Sequence, residues 1–190
     1  MKEALLVIDA QKIYSLEASD YCVENCTTIV DNINALIKAF KKRGDLIVYI
    51  KHEHNPDGSD SGRMFDFTGQ TGDIEFQRGT EETEFIDALI VNEGSPIITK
   101  TRYDAFIFTT LDEILKANEI KKVIVTGFMT NFCCESTAKH AHDIDYYVDF
   151  VVDATGTPGT EKLSPVETIN ATIATLETGY AMIISTVDVT

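Results

Sequence analysis

Six short apolar runs recur along the chain with helix-period segments between them, and this alternation limits the possible folds more than any other feature. Residues 4–8 (ALLVI) are a continuous apolar run closed by Asp9, the pattern of a strand buried on both faces. Residues 46–50 (LIVYI), 97–98 with their flanks, 123–125, 147–152 and 181–184 read the same way. Between the first two runs, Ile29, Val30, Ile33, Leu36, Ile37 and Phe40 recur at helical spacing, and Gly44 just past them is a stop signal. Leu111, Ile114 and Leu115, then the residues after Cys133, then Val166, Ile169, Ile173 and Leu176 up to Gly179 form the later helices. Strands alternating with helices imply a parallel sheet covered on both faces. At 190 residues the whole chain, 1–190, is expected to form one domain.

Charge narrows the partners. Sixteen Lys and Arg against 31 Asp and Glu give a formal net charge of -15, so nucleic acid and anionic membranes are repelled unless a basic patch intervenes. The only basic cluster, Lys41 to Arg43, falls at a helix C-terminus, where it complements the helix dipole. The N-terminal apolar run is too short for a secretory segment or an anchor, and a cytoplasmic location is expected. Cys22, Cys26, Cys133 and Cys134 match no zinc-module spacing and are expected to be reduced.

In a parallel α/β sheet ligands bind beyond the carboxyl ends of the strands, so the first polar residues after the runs are the candidates: Asp9, Lys100, Thr126 with Gly127, and Asp153. Seven residues past Thr126, Cys133 falls where the next helix should begin. A helix N-terminus and a nearby lysine both favour thiolate, and a carboxylate beside them can carry a proton. Each residue alone has a bland reading as a cap, a solvated charge or an inert thiol; together they form a coherent chemical set.

Other motifs are missing. There is no GxGxxG after the first strand, no GxxxxGK[ST] and no GxSxG, which removes the usual dinucleotide, P-loop and serine-elbow readings. His52 and His54 stand two apart on extended chain, a spacing a metal site could use, with ordinary polar contacts as the preferred reading. His140 and His142 are expected on different faces of a helix, at the surface. The irregular stretch from His52 to about Thr83 reads either as a lid or as a subunit contact. Its acidic residues, Asp57, Asp60, Glu75, Glu81, Glu82 and Glu84, are expected to solvate a surface; lining a pocket for a cationic amide is the other reading.

Three segments in order then carry a family resemblance. VIVTGFMTNFCCESTAKHA (residues 123–141) resembles the nucleophile segment of the isochorismatase-like cysteine hydrolases, which include nicotinamidases and several amidohydrolases of carbamoyl compounds and ureides. DAQKIY, from Asp9 to Tyr14, resembles that family's DxQxxF opening, and KTRYDAFIFTTL, from Lys100, resembles its KxxxSAFxxTxL segment with Asp104 at a usually small polar position. DFVVDATGTP (149–158) resembles the strand ending in Asp-Ala that follows. The resemblance implies a three-layer α/β/α sandwich, Rossmann-like, around a central six-stranded, mainly parallel sheet. It also implies a catalytic triad of Asp9, Lys100 and Cys133, and a cis peptide between Phe128 and Met129 that aims the backbone N–H groups of Met129 and Cys133 at the substrate oxygen.

On this basis the chain is expected to be a cysteine-dependent hydrolase of a small amide, ureide or carbamoyl compound, acting through a covalent acyl-enzyme. Tyr14, His52, His54, Tyr103, Phe106 and Phe128 are expected in the substrate pocket. No cofactor and no catalytic metal are expected, because KHEHNPDG lacks the aspartate that metal-binding nicotinamidases carry there. Met129 at a usually small position and Asp145 at a common glycine position are expected to alter pocket shape. A homo-oligomer, dimer or tetramer, is expected. The alternatives are a metal-assisted nicotinamidase-type amidase, a redox thiol protein using Cys133 with Cys134, and a non-catalytic binding protein on the same fold.

Overall fold

The computed structural model describes residues 1–66, 68–69 and 72–190. Six strands, β1 (Glu3–Ile8), β2 (Leu46–His52), β3 (Ile97–Lys100), β4 (Lys122–Phe128), β5 (Tyr147–Gly156) and β6 (Met182–Ile184), form one sheet in the order β3-β2-β1-β4-β5-β6. Every neighbouring pair is parallel, so the sheet is wholly rather than mainly parallel. The strand order reverses between β1 and β4, and such a reversal opens a crevice at the carboxyl ends of those two strands.

Alternate residues of β1 explain the layering. Leu5 and Val7 face one cluster, packed against Ile33, Ile37 and Phe40 of α1 (Cys26–Arg43). Leu6 and Ile8 face the other, packed with Leu111 and Leu115 of α2 (Leu111–Ala117), Ala138 of α3 (Glu135–Asp143) and Leu176 of α4 (Pro165–Leu176). Burying a side chain such as Phe40 completely contributes about 1.5–3 kcal/mol, so a polar residue in its place would weaken the docking of α1 by about that much. The helix stops at Gly44, whose left-handed φ of 74° returns the chain toward β2.

The stretch after β2 runs across the carboxyl ends of the strands. Its backbone is tied down at two isolated bridges, His54 with Gln77 and Gln11 with Phe85, and a short turn of helix spans Glu81–Thr83. Residues 67, 70 and 71 within it lie outside the described residues. Its acidic residues divide: Glu81 pairs with Lys12 and Glu84 with Lys51 at the surface, as a solvated face requires, but Glu75 turns inward to the cavity described below. Among the described residues, no helix is long and apolar enough to cross a membrane.

Candidate active site

Three strand ends bring Asp9, Lys100 and Cys133 together, all of them buried. Asp9 follows β1 with a φ of 48°, a left-handed conformation that aspartate tolerates better than most residues. Lys100 closes edge strand β3 and sends its side chain across β2. Its ammonium lies 2.8 Å from Asp9 Oδ2 and donates to Cys133 Sγ at 3.3 Å and to the Arg102 carbonyl at 2.9 Å, so all three of its protons are directed. Cys133 sits in a single π-helical turn (Thr130–Cys134) rather than at the first residue of α3, and the peptide between Phe128 and Met129 that precedes the turn is cis.

Gly127 is what lets the β4 end approach this closely. Its φ is 115°, and a Cβ there would lie 1.8 Å from the Ile8 carbonyl oxygen, so no other residue fits beside β1. Gln11 performs the matching task for β2: its amide donates to the carbonyls of His52 and Thr83 and accepts from the His52 N–H, which clamps the loop after β1 to the end of β2.

Electrostatics set the resting state. Burial pushes the Asp9 carboxyl up, against the opposing pull of Lys100. Burial alone would push the Lys100 ammonium down, but Asp9 and the Cys133 sulfur carry it above its ordinary value. For Cys133 burial again dominates: with Asp9 adding to it and Lys100 opposing, the thiol is pushed up to about 12. The lysine's pull toward thiolate is present but is outweighed by desolvation and the Asp9 charge. The resting site is an ammonium–carboxylate pair facing a neutral thiol.

Cys133 opens onto a cavity of about 490 Å³. Of the residues expected to line it, Tyr14, His52 and Tyr103 do, together with Met129. The other three lie elsewhere. Phe128 is buried beneath Tyr14, its ring stacked at 5.0 Å; His54 is buried behind His52; and Phe106 points the other way, packing against His140 and Tyr146, because the chain after Lys100 turns back onto α3. Asp104 explains that turn, since its carboxylate binds His140 and caps the Phe106 N–H, and His140 is accordingly a tether rather than a free surface residue. Asp145 takes the left-handed φ of 70° that a glycine would supply, on the turn before β5 at the far end of the sheet, so it leaves this cavity unchanged. Asp153 is also structural, accepting from the Thr186 backbone and hydroxyl. Glu75, one of the acidic residues with a pocket as its second reading, also lines the cavity; so do Asp20, Tyr21, Asp73 and Phe76, which come from loops without periodicity, and Phe132 of the turn before Cys133, none of which was anticipated. A larger cavity, about 1000 Å³, lies at the amino-terminal end of the sheet beside Tyr147 and Asp145 and contains none of Asp9, Lys100 or Cys133.

The donors do not suit a metal. His52 Nε2 and His54 Nε2 meet at 2.9 Å, a hydrogen bond that occupies both atoms, and His54 Nδ1 is 3.3 Å from Asp60. Burial holds both imidazoles below their ordinary values, most strongly His52 beside Lys100. Among the described residues, no third ligand atom converges on this pair; the one cluster of three, Asp9, His52 and Cys133 within 4.8 Å of one another, already has the Lys100 ammonium against two of its members. Glu53 faces away, toward Lys51 and Arg78.

With this geometry in view, the chain matches the isochorismatase domain over residues 3–184 and belongs to that family. It is 31% identical over 157 residues to a protein from Arabidopsis thaliana named "Probable inactive nicotinamidase", an alignment covering 80% of this chain and 79% of that one. It is 26% identical over 176 residues to the ureidoacrylate amidohydrolase RutB of Klebsiella pneumoniae, covering 83% and 75%. The crystal structure of a cysteine hydrolase from Pseudomonas syringae pv. phaseolicola superposes with a TM-score of 0.88 at 28% identity, covering 99% of this chain and 90% of that one.

Proposed function

We propose that this protein hydrolyses a small amide, ureide or carbamoyl compound through a covalent intermediate on Cys133. The observation that carries the reading is the single buried ammonium shared by Asp9 and Cys133, at 2.8 and 3.3 Å, on the floor of a cavity of substrate size. The names of two relatives, an amidohydrolase and a cysteine hydrolase, support it.

The resting thiol holds its proton, so attack and deprotonation are coupled. As the sulfur–carbon bond forms, Asp9 takes the thiol proton, and Lys100 offsets the charge that builds on sulfur. Charge on the carbonyl oxygen is assigned to the backbone N–H groups of Met129 and Cys133, the donors that the family resemblance implies. Asp9 then passes its proton to the leaving nitrogen, giving a thioester and a free amine or ammonia. Water gives up a proton to Asp9 and attacks the thioester; that proton returns to sulfur as the acid departs. One carboxylate serves both halves.

No step needs a metal, and the His52–His54 pair is assigned to shaping the wall. Free thiols at all four cysteines suit a reducing, cytoplasmic setting, and a homo-oligomer, dimer or tetramer, belongs to the same reading. Because one relative is named inactive, a binding protein on this fold is the rival. A screen of primary amides, ureides and carbamoyl compounds for ammonia release, with intact mass spectrometry of the protein during turnover, separates the two. Ammonia together with an acyl adduct that is absent from Cys133→Ala is expected; retention of substrates with neither supports the binder.

A further inference from the structure

Attack at sulfur uses the floor of the cavity and leaves its walls unexplained. Beside Met64, Met129, Pro158 and Thr160, two kinds of side chain give them their character. Tyr14, Tyr21, Phe76, Tyr103 and Phe132 line the cavity with aromatic rings, Phe76 placed 6.4 Å from Tyr14 and 5.8 Å from Tyr21, Phe132 placed 5.1 Å from Tyr103, with Tyr14 backed by Phe128 and Phe76 by His52. Between them stand three carboxylates, Asp20, Asp73 and Glu75. Among the described residues no lysine or arginine lines the cavity, and its one histidine, His52, is held neutral. The nearest cation, Lys100, is buried and paired with Asp9.

We infer that the cavity selects amides carrying a cationic group, an ammonium or guanidinium, and turns away substrates carrying a carboxylate. This rests on the proposed hydrolase reading and names its substrate class. Aromatic rings attract a cation through their quadrupole, and the charges of Asp20 and Asp73, which are exposed, and of half-buried Glu75 add to that attraction. The Tyr21 hydroxyl donates to Glu75 Oε2, which fixes that carboxylate on the wall, and burial followed by that hydrogen bond pushes the tyrosine hydroxyl up, so it stays a donor. On the floor, the Asp9 carboxylate is fully buried between the Lys100 ammonium and the Cys133 thiol. A carboxylate-bearing ureide, the kind of compound for which the Klebsiella relative is named, would meet three like charges here.

Two measurements test this separately from the hydrolase reading. The first is the rate of iodoacetamide labelling at Cys133, with tetramethylammonium or the neutral tert-butanol added. Tetramethylammonium is expected to slow labelling in the wild type and to do so less in Glu75→Gln and Asp73→Asn, whereas tert-butanol protects little. Equal protection by the two compounds, or none by either, overturns the inference whatever the enzyme hydrolyses. The second compares kcat/KM for betaine amide, its carbon isostere 3,3-dimethylbutanamide, and succinamate. The cationic amide is expected to lead its isostere by on the order of tenfold at low salt, to lose that lead as salt rises, and to lose it in Glu75→Gln. A lead for the neutral or anionic amide overturns the inference while the hydrolase stands. Cation protection without hydrolysis of any amide overturns the hydrolase reading and leaves the cation-selective cavity standing.

Discussion

Cys133 Sγ accepts from the Lys100 ammonium at 3.3 Å, yet its thiol is pushed up to about 12. The two facts agree once burial and the Asp9 charge are weighed against one cation: both oppose the thiolate, and only Lys100 favours it. Removing each neighbour should therefore move the thiol in opposite directions. Asp9→Asn deletes a negative charge and should speed iodoacetamide labelling of Cys133 near neutral pH, whereas Lys100→Ala deletes the positive charge and should slow it. Both should depress turnover by about a thousandfold or more. Labelling that changes in the same direction in both variants would show that access, not charge, governs the sulfur.

Cys134 offers a control one residue away. Successive residues on a helical turn point in different directions, and of the two thiols it is Cys133 that meets the cavity. Cys134 is fully buried among the residues packed under α2, α3 and α4. Cys133→Ala should abolish hydrolysis with little change in melting temperature. Cys134→Ala should keep most of the activity and lose about 1 kcal/mol of stability to the cavity it leaves. The reverse pattern of activities would assign the nucleophile to Cys134.

The acid limb of activity reports on Asp9. Attack requires Asp9 ionised in the free enzyme, so kcat/KM should fall as pH drops through the carboxyl's folded value. Burial raises that value above the ordinary 3.8, so the loss should begin at a higher pH than an exposed carboxylate would give. Lys100, raised in turn, stays protonated throughout this range. A profile of kcat/KM from about pH 3 to pH 8 locates the limb. A midpoint at or below the ordinary value would mean that Lys100 outweighs burial at Asp9.

Residues on regular elements were legible in the sequence, and residues on loops were not. The apolar run before Asp9 and the helical spacing from Ile29 to Phe40 announced β1 and α1, because burial on two faces and on one stripe leave different periods. Strand ends then marked Asp9 and Lys100, and Cys133 came from the spacing after β4. Phe106 was misplaced because nothing local announces that Asp104 will reach His140, 36 residues away, and turn the chain onto α3. Glu75 looked like its acidic neighbours on paper; only the return of its loop over the strand ends separates it from Glu81 and Glu84. Gln11, whose amide holds the end of β2, carried no signal beyond its place in a motif. How far the Cys133 thiol is raised is likewise not legible in a sequence, because desolvation depends on what packs around the group.

The histidine pair decides the last prediction, that hydrolysis needs no metal. A catalytic zinc site takes about three protein ligands and keeps one position open. Here His52 and His54 spend their Nε2 atoms on each other, Glu53 is held outward by Lys51 and Arg78, and Asp9 is engaged by Lys100. A divalent ion seated near Asp9 and Cys133 would also face the Lys100 ammonium, whose repulsion in a buried setting opposes binding. Thiol attack supplies the nucleophile without a metal-bound water. Protein stripped with a chelator and verified by elemental analysis should therefore retain full activity on its best substrate, and added zinc or manganese should not raise it. Activity that vanishes on stripping, returns with either ion, and is absent from both His52→Ala and His54→Ala would mean that the pair opens to hold a metal and would revive the metal-assisted amidase reading.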